Sequence, residues 1–267
     1  LVLSDLHMDE RVDPAQMAGC DNEYNPDIAK ARLEKVFQHG LFMTNVMRGM
    51  AKIDTFCLAI LGDLQSGAIH DELTETNYMT PIQASLFVEE QLGKGIEYLL
   101  SQGDFKKIII PTSHGNHDRD TDKSRSKDGA AHSFAWLVYK MLAKNFRNEK
   151  RLEWHIASGY HNYVQFWDTT VRFHHGDNIM YGGGIGGVTV PIRKAIANWN
   201  TIHKADLDIL GHFHQQTDGG DFIVNGSLIG FNEYSLSIKA RYERPRQTFT
   251  LIDQKMGKTL TAEVFVE

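Results

Sequence analysis

The stretch that decides the fold runs from Ile108 to Asp118 and reads Ile-Ile-Ile-Pro-Thr-Ser-His-Gly-Asn-His-Asp. Its first half has the short, Ile-rich composition of a buried strand, and its second half brings an amide, imidazoles and a carboxylate together. Three other apolar runs end in the same way: Leu1 to Leu3 before Ser4-Asp5, Ile53 to Leu61 before Gly62-Asp63, and Leu207 to Leu210 before Gly211-His212. The pattern predicts strands whose carboxyl ends carry the chemistry.

Helical periodicity separates these strands. Apolar residues recur at intervals of three and four over Pro26 to Met50 and over Pro81 to Leu100. Alternation of strand and helix predicts an α/β sheet, in which ligands gather outside the carboxyl ends of the strands. After Trp154 the chain alternates polar and aromatic residues, first over Tyr160 to Trp167 and then over Thr170 to His175. We therefore expect a second sheet packed on the first.

The bulk composition is that of an ordinary globular protein. The 267 residues are 42% hydrophobic and 23% charged, which predicts a single domain over residues 1–267 that can form its own core. A formal net charge of −6 weakens the case for a dedicated duplex-binding protein. No apolar run approaches the roughly 20 residues of a membrane span, and two cysteines give no disulfide framework. We expect no membrane association and a reducing, cytoplasmic setting.

Three segments are expected to form loops near the strand ends. Met8 to Asn25 is polar and acidic, and Arg119 to Gly129 is dense in Lys, Arg, Asp and Ser. Loops of this length in compact domains are often functional. Tyr181 to Gly187 is rich in glycine and indicates a flexible rim near His175.

Two short patterns place pairs of metal-competent side chains together. Asp5 and His7 are two residues apart, as are His212 and His214, so in extended backbone each pair points to one side. Asp63 follows a glycine that permits close approach of another backbone, and its two oxygens could bridge two metal ions. Each pattern alone occurs often by chance, and their ordered co-occurrence is what favours a metal site.

The Gly115-Asn116-His117-Asp118 element is the more specific one. Asn116 offers a neutral oxygen ligand, and His117 is then free to act on substrate. Asp118 is expected to orient the His117 ring, as carboxylates do around metal sites.

Taken together, these motifs resemble the full signature of the calcineurin-like metallophosphoesterases. The matching elements are Asp5-x-His7, Gly62-Asp63, Gly115-Asn116-His117-Asp118, His175-Gly176 and Gly211-His212-x-His214. The resemblance implies an αββα sandwich of two mixed β-sheets flanked by helices. It also implies hydrolysis of phosphate esters at two divalent metal ions, through a metal-activated hydroxide.

By the same resemblance, two coordination sets share Asp63. The first consists of Asp5, His7, Asp63 and His214, and the second consists of Asp63, Asn116, His175 and His212. His175 is preferred over His174 because the family's histidine directly precedes glycine; His174 remains the alternative and a candidate for contact with substrate. His117 is the family's general acid. Imidazole, carboxylate and amide ligands without thiolate suit manganese first, with iron or zinc as alternatives.

The substrate is less well defined. Asn225-Gly226-Ser227-Leu228 is similar to a strand of the SbcD-like nucleases, which favours a phosphodiesterase or DNA exo- or endonuclease, with DNA or a nucleotide as substrate. Arg119 is the candidate contact to the substrate phosphate. Further cations could follow a nucleic-acid backbone or could be ordinary surface charges: Lys106, Lys107, Lys123, Arg125, Lys127, Arg193, Lys194, Arg241, Arg244 and Arg246. The alternatives are a phosphomonoesterase acting on proteins or nucleotides, and a catalytically silent scaffold.

Overall fold

A computed structural model describes residues 1–17, 19–181 and 186–267. The centre of the glycine-rich run predicted to form a rim, residues 182–185, lies outside the described residues. Within them, no helix is both long enough and apolar enough to cross a membrane.

The first sheet contains seven strands in the described part of the chain. The bounds are Val2–Leu3 (β1), Thr55–Cys57 (β2), Ala59–Ile60 (β3), Lys107–Thr112 (β4), Leu152–Ile156 (β5), Arg246–Asp253 (β11) and Gly257–Phe265 (β12). The parallel strands are β1, β3, β4 and β5, and β2 pairs in parallel with β4 next to β3. The strands β11 and β12 extend the sheet antiparallel beyond β1. The expected strands at Leu1 to Leu3, Ile53 to Leu61 and Ile108 to Pro111 are thus present.

The second sheet has the order β6, β7, β8, β10, β9. β7, β8 and β10 are parallel, and β6 and β9 close the edges antiparallel. The bounds are Asn162–Phe166 (β6), Thr169–Phe173 (β7), Leu207–Leu210 (β8), Thr217–Asp218 (β9) and Phe222–Val224 (β10). The predicted hairpin is β6 and β7, paired from Asn162 with Phe173 to Phe166 with Thr169.

Six α-helices lie in the described residues, and the long ones begin where the sequence supplies caps. Asn25 caps α1 through the N–H of Ile28, and Thr80 forms a capping box with Gln83 at the start of α3. Proline occupies the first position of both helices, where its missing N–H costs no hydrogen bond. The bounds are Pro26–Arg48 (α1), Asp71–Thr76 (α2), Pro81–Gln102 (α3), Phe134–Asn145 (α4), Thr189–Trp199 (α5) and Glu233–Ser237 (α6).

Side-chain alternation along the strands sets the layers. In β1 and β4, Val2 and Ile109 face the second sheet, whereas Leu3 and Ile110 join the core beneath the helices α1, α3 and α4. In the second sheet, Ile209 faces the first sheet, and its neighbour Leu210 packs with residues of α5. The layers are therefore helices, sheet, sheet and helix, which confirms the predicted αββα sandwich.

Candidate metal centre

All seven predicted ligands follow the carboxyl ends of strands. Asp5 and His7 come after β1, Asp63 after β3 and Asn116 after β4; His175 follows β7, and His212 and His214 follow β8. Hydrogen bonds join the strand ends of the two sheets at this edge. The Nδ1 of His175 lies 2.7 Å from the carbonyl of Leu61, and the backbone N–H of His212 donates to the Asp5 carboxylate at 3.0 Å.

The side chains form two compact groups of possible ligands. Asp5, His7 and His214 make one, which we term the Asp5 group, and Asp63, His175 and His212 make the other, the Asp63 group. Within each group, one ligand atom per residue lies within 4.8 Å of the others. The Oδ1 of Asn116 lies 3.2 Å from the Nε2 of His175 and adds an oxygen to the Asp63 group. The structure thus brings together all seven residues that the sequence singled out.

The backbone that carries these ligands is strained. Asp5, His7, Asp63, His212 and His214 have φ between 47° and 71°, in the left-handed region that side chains other than glycine rarely adopt. Such conformations cost about 1–3 kcal/mol each and concentrate at functional sites. The extended backbone expected at Asp5 and His7, and at His212 and His214, is therefore wrong. β1 ends at Leu3, and the left-handed turns beyond it aim both side chains into the site.

Glycines make room for these turns. A Cβ on Gly62, which has φ of +83°, would lie 2.3 Å from the N of Gly115, and a Cβ on Gly115 would lie 2.0 Å from the Oδ1 of Asp63. A Cβ on Gly211 would lie 2.5 Å from the Oδ2 of Asp5. The close approach predicted for the Gly62 backbone is thus present.

The hydrogen bonds of His7 fix its tautomer. When Glu10 is ionised, the Ser66 hydroxyl donates its one proton to that carboxylate, and His7 Nδ1, 2.8 Å from the Ser66 oxygen, is the donor to it. His7 Nε2 then carries a lone pair, and this buried atom has no partner among the described residues. Burial, reinforced by His117 and His214, holds the pKa of His7 well below its usual value, so the ring is neutral. A buried, unpartnered imidazole lone pair fits a metal ion.

His175 gives the same indication from the other group. Because the Leu61 carbonyl can only accept, His175 Nδ1 is the donor to it, and Nε2 faces Asp63 Oδ2 at 2.9 Å and Asn116 Oδ1 at 3.2 Å. Burial alone would lower the pKa of His175, but the Asp63 carboxylate raises it well above its usual value. Carboxylate and amide oxygens that converge on one imidazole nitrogen form a donor set for a cation.

The charge of Asp63 is maintained by its neighbours. Burial alone would raise the pKa of Asp63, but the surrounding imidazoles, His175 foremost, hold it well below its usual range. Burial lowers the pKa of His212 to about 4, so this ring is neutral and available as a ligand. The ionised Asp63 carboxylate and the neutral His212 ring are thus in the protonation states that metal binding requires.

His117 lies beside the Asp5 group, with its ring centre 4.9 Å from that of His7. Its Nδ1 lies 3.0 Å from the carbonyl of Ser66, and its backbone N–H donates to Asp63 Oδ1 at 2.8 Å. Since a carbonyl only accepts, Nδ1 carries a proton, and Nε2 is the atom that could exchange one with substrate. The orienting group is therefore Ser66 and not the expected Asp118.

Asp118 has a different role. Its carboxylate accepts the backbone N–H groups of Asp63 at 2.7 Å, Leu64 at 3.0 Å and Gly115 at 3.1 Å. Burial, together with the charge of Asp63, raises the pKa of Asp118 to about 7. Asp118 thus ties the Gly62-Asp63 turn to the Gly115-Asn116 turn and holds two ligands in register.

Of the two predicted substrate contacts, His174 is not placed as expected. His174 is fully buried just beyond the end of β7, with its Nε2 3.4 Å from Asp208 Oδ1 and its ring against Tyr160 and Trp199, whereas the His175 ring faces Asp63. His174 therefore belongs to neither group of candidate ligands, and it is not exposed for contact with substrate. Arg119 donates to the carbonyls of Asn116 at 2.6 Å, Thr121 at 2.8 Å and Asp122 at 3.0 Å. Its guanidinium orders its own loop, and two N–H groups are left for other contacts.

Several residues of the site were missed. The Ser66 hydroxyl contacts His7 Nδ1, and the Ser66 carbonyl contacts His117 Nδ1. The Glu10 carboxylate accepts hydrogen bonds from the Ser66 hydroxyl and from the Asn232 amide. Asn225 donates to the Ser4 hydroxyl at 2.8 Å, and Ser4 in turn donates to Asp5. The position of Ser66 three residues after Asp63, on the same turn, was the one sequence signal available.

Comparison with known proteins places the chain among distant neighbours. Neither a protein-family model nor a curated protein matches it. A hypothetical protein of Pyrococcus horikoshii is 12% identical, over 100% of this chain and 87% of that one, with a TM-score of 0.47. Vps29 of Chaetomium thermophilum is 10% identical, over 98% of this chain and 95% of that one, with a TM-score of 0.41. A Streptococcus pneumoniae protein described as a predicted phosphoesterase is 12% identical, over 98% and 94%, with a TM-score of 0.35.

At this distance the neighbours give no information on activity, so family resemblance rests on the chain's own residues. The two facing mixed sheets, the strand ends that meet at one edge and the ordered ligands from Asp5 to His214 all agree with one pattern. In fold and in the arrangement of its candidate metal-binding residues, the chain is similar to the calcineurin-like metallophosphoesterases.

Proposed function

We propose that this protein is a hydrolase that cleaves phosphate esters with two divalent cations, manganese foremost and iron or zinc as alternatives. The observation that carries the proposal is the adjacency of two ligand groups, the Asp5 group and the Asp63 group, with His117 beside them. A purely structural metal site would need neither a second group nor an imidazole positioned outside the ligands.

The ligand assignment divides the seven residues into two sets. Asp5, His7 and His214 would hold one ion, and Asn116, His175 and His212 the other, with Asp63 between them. When bound, two such ions lower the pKa of water and neutralise the charge of a phosphate ester. The protein fixes their ligands through the Ser66, Leu61 and Ser4 contacts, which set ring tautomers and carboxylate orientation before substrate arrives.

His117 is the proposed general acid. The Ser66 carbonyl holds its Nδ1 proton, so only Nε2 can deliver a proton to the leaving oxygen. The backbone N–H of His117 donates to Asp63 Oδ1. This hydrogen bond fixes the position of His117 relative to Asp63, the residue that the two ligand sets share.

Phosphodiesters are the preferred substrate class, with DNA or a nucleotide as the natural form. The basic run near the C-terminus gives less support than its composition indicated. Arg246 is paired with Glu243 and Glu263, and Arg244 is paired with Glu267. Lys106, Lys107 and Arg193 are also paired with acids. Support for an anionic polymer therefore shifts to the Arg119 to Gly129 loop.

The decisive experiment combines metal content with turnover. We expect about two equivalents of manganese per chain and hydrolysis of bis-p-nitrophenyl phosphate faster than of p-nitrophenyl phosphate. Asp63→Asn and Asn116→Ala should abolish turnover with the fold retained by circular dichroism, whereas Asp168→Asn, on an exposed turn, should not change it. Full activity of both Asp63→Asn and Asn116→Ala would refute the proposal. Faster monoester cleavage would indicate a phosphomonoesterase, and a metal-free, inactive protein at saturating manganese would indicate a scaffold.

A further inference from the structure

A polar cleft opens beside the Asp63 group. It is shallow and open to solvent, its wall includes Gly115 and the candidate ligand Asn116, and the Arg119 to Gly129 loop forms one side of it. The cleft therefore adjoins the candidate metal centre on the side of the Asp63 group.

Two guanidinium groups lie in the lining of the cleft. Arg119 and Arg125 face it together with the imidazoles of His114 and His132, while Asp177 is its one acidic lining residue in the described part of the chain. In a protein of net charge −6 this is a local reversal of sign. Convergent guanidinium and imidazole donors suit an anion with several oxygens, and a phosphate is the one that this site's chemistry supplies.

The loop that carries these cations is anchored at its base. Arg119 forms an antiparallel bridge with Ser133, and Asp120 bonds the His132 ring at 2.9 Å. The three carbonyls bound by Arg119 fix its guanidinium plane while two of its N–H groups stay uncommitted. This arrangement orders the donors in advance and reduces the entropy that binding would cost.

The loop cations differ in their pairing from five of the other cations considered as backbone contacts. Lys106, Lys107, Arg193, Arg244 and Arg246 all have acidic partners. Within residues 1–17, 19–181 and 186–267, the ion pairs include none from Lys123, Arg125 or Lys127. Of these three, only Arg125 lines the cleft.

We propose that the cleft between Asn116 and Arg125 is a subsite for a second phosphate of the substrate, next to the phosphate that is cleaved. The inference rests on the proposed function and makes it more specific. The substrate is then a nucleotide chain or a nucleoside bisphosphate ester, and not an isolated diester. Arg125 and Arg119 are the residues that select it.

Matched ester pairs test the subsite. Thymidine 5′-(p-nitrophenyl phosphate) is compared with and without a 3′-phosphate, and thymidine 3′-(p-nitrophenyl phosphate) with and without a 5′-phosphate. We expect one polarity to show a kcat/KM about tenfold higher when the second phosphate is present, mainly through KM. Arg125→Ala should bring that ratio close to one. Lys123→Ala and Lys127→Ala, in the same loop but outside the cleft, should keep the ratio.

A binding measurement separates this inference from the proposed function. Calorimetry on the manganese-loaded protein compares thymidine 3′,5′-bisphosphate with the 3′- and 5′-monophosphates. If the bisphosphate binds more tightly and Arg125→Ala removes the difference, the subsite stands even if no ester is turned over. Equal binding of all three, or a preference that Arg125→Ala leaves intact, would overturn it.

Discussion

Ser4 and Gln247 bind each other reciprocally, although 243 positions separate them in the sequence. The Ser4 N–H donates to Gln247 Oε1 at 2.9 Å, and Gln247 Nε2 donates back to the Ser4 carbonyl at 3.2 Å. The Gln247 side chain thereby acts as a short piece of backbone at the end of β1. Asn225 donates to the same Oε1 and to the Ser4 hydroxyl, so the contacts continue to Asp5.

Gln247→Glu should destabilise the protein by about 3 kcal/mol. Its Nε2 also donates to the carbonyls of Gly226 and Arg246, and a carboxylate there would face three acceptors without a proton to offer. Urea unfolding measures the change, with Gln102→Glu on an exposed helix end as the control. Equal unfolding midpoints for the two variants would contradict the bridging role of Gln247.

Gly62→Ala should cost about 2–4 kcal/mol and abolish metal binding. The substitution adds left-handed backbone strain to an overlap of 2.3 Å with the Gly115 N. Gly159→Ala is the matched control, because a Cβ there would meet nothing within 4 Å. Thermal unfolding with and without manganese tests both variants, and a Gly62→Ala protein that gains stability from manganese as the wild type does would refute the close-packing argument.

The location of the candidate metal centre could be predicted because parallel strands bring their carboxyl ends to one edge of the sheet. The reason that Asp5 and His7 point together could not, since the turn after β1 is left-handed and not extended. The preference for His175 over His174 followed from the resemblance, in which the histidine directly precedes glycine, and His174 indeed contacts Asp208 whereas His175 contacts Asp63. Local periodicity thus placed the ligands but not the backbone that aims them.

The supporting residues are where sequence reasoning stopped. Ser66 meets Glu10 across 56 positions, and Gln247 meets Asn225 across 22, with no spacing rule that relates them. Asp118 was assigned to His117 because the two are adjacent, but its carboxylate instead binds backbone N–H groups that only the fold brings together. Side chains that bind backbone groups distant in the sequence, unlike helix caps, leave no local pattern.

His161 should make the protein less stable in acid. Burial lowers the pKa of this ring to about 3, with His174 adding to the shift, so the unfolded chain binds a proton below about pH 6.5 that the folded chain refuses. Stability conferred by the neutral ring is present at pH 7 and is lost as the pH falls toward 3. At pH 5 we expect His161→Phe to recover about 1 kcal/mol relative to its effect at pH 7, a figure discounted for solvent screening.

Urea unfolding at pH 7 and pH 5 measures this difference for His161→Phe. The exposed His39→Phe serves as the control. A stability difference between His161→Phe and the wild type that is the same at both pH values would rule out the role of His161.

Ser66→Ala should weaken one metal site and spare the other. The Ser66 hydroxyl is the acceptor for His7 Nδ1, so its removal frees the ring to take the tautomer with a proton on Nε2, which cannot bind a metal. Loss of such a supporting contact typically costs 10–100-fold in metal affinity. The Asp63 group depends on the Leu61 carbonyl for its His175 tautomer and does not use the Ser66 hydroxyl. In a calorimetric titration with manganese, we expect the wild type to bind two ions with similar affinity. Ser66→Ala should keep one of these affinities and weaken the other, and the exposed Ser101→Ala should keep both. Equal weakening of the two steps would mean that Ser66 supports the fold of the whole site and not the Asp5 group in particular.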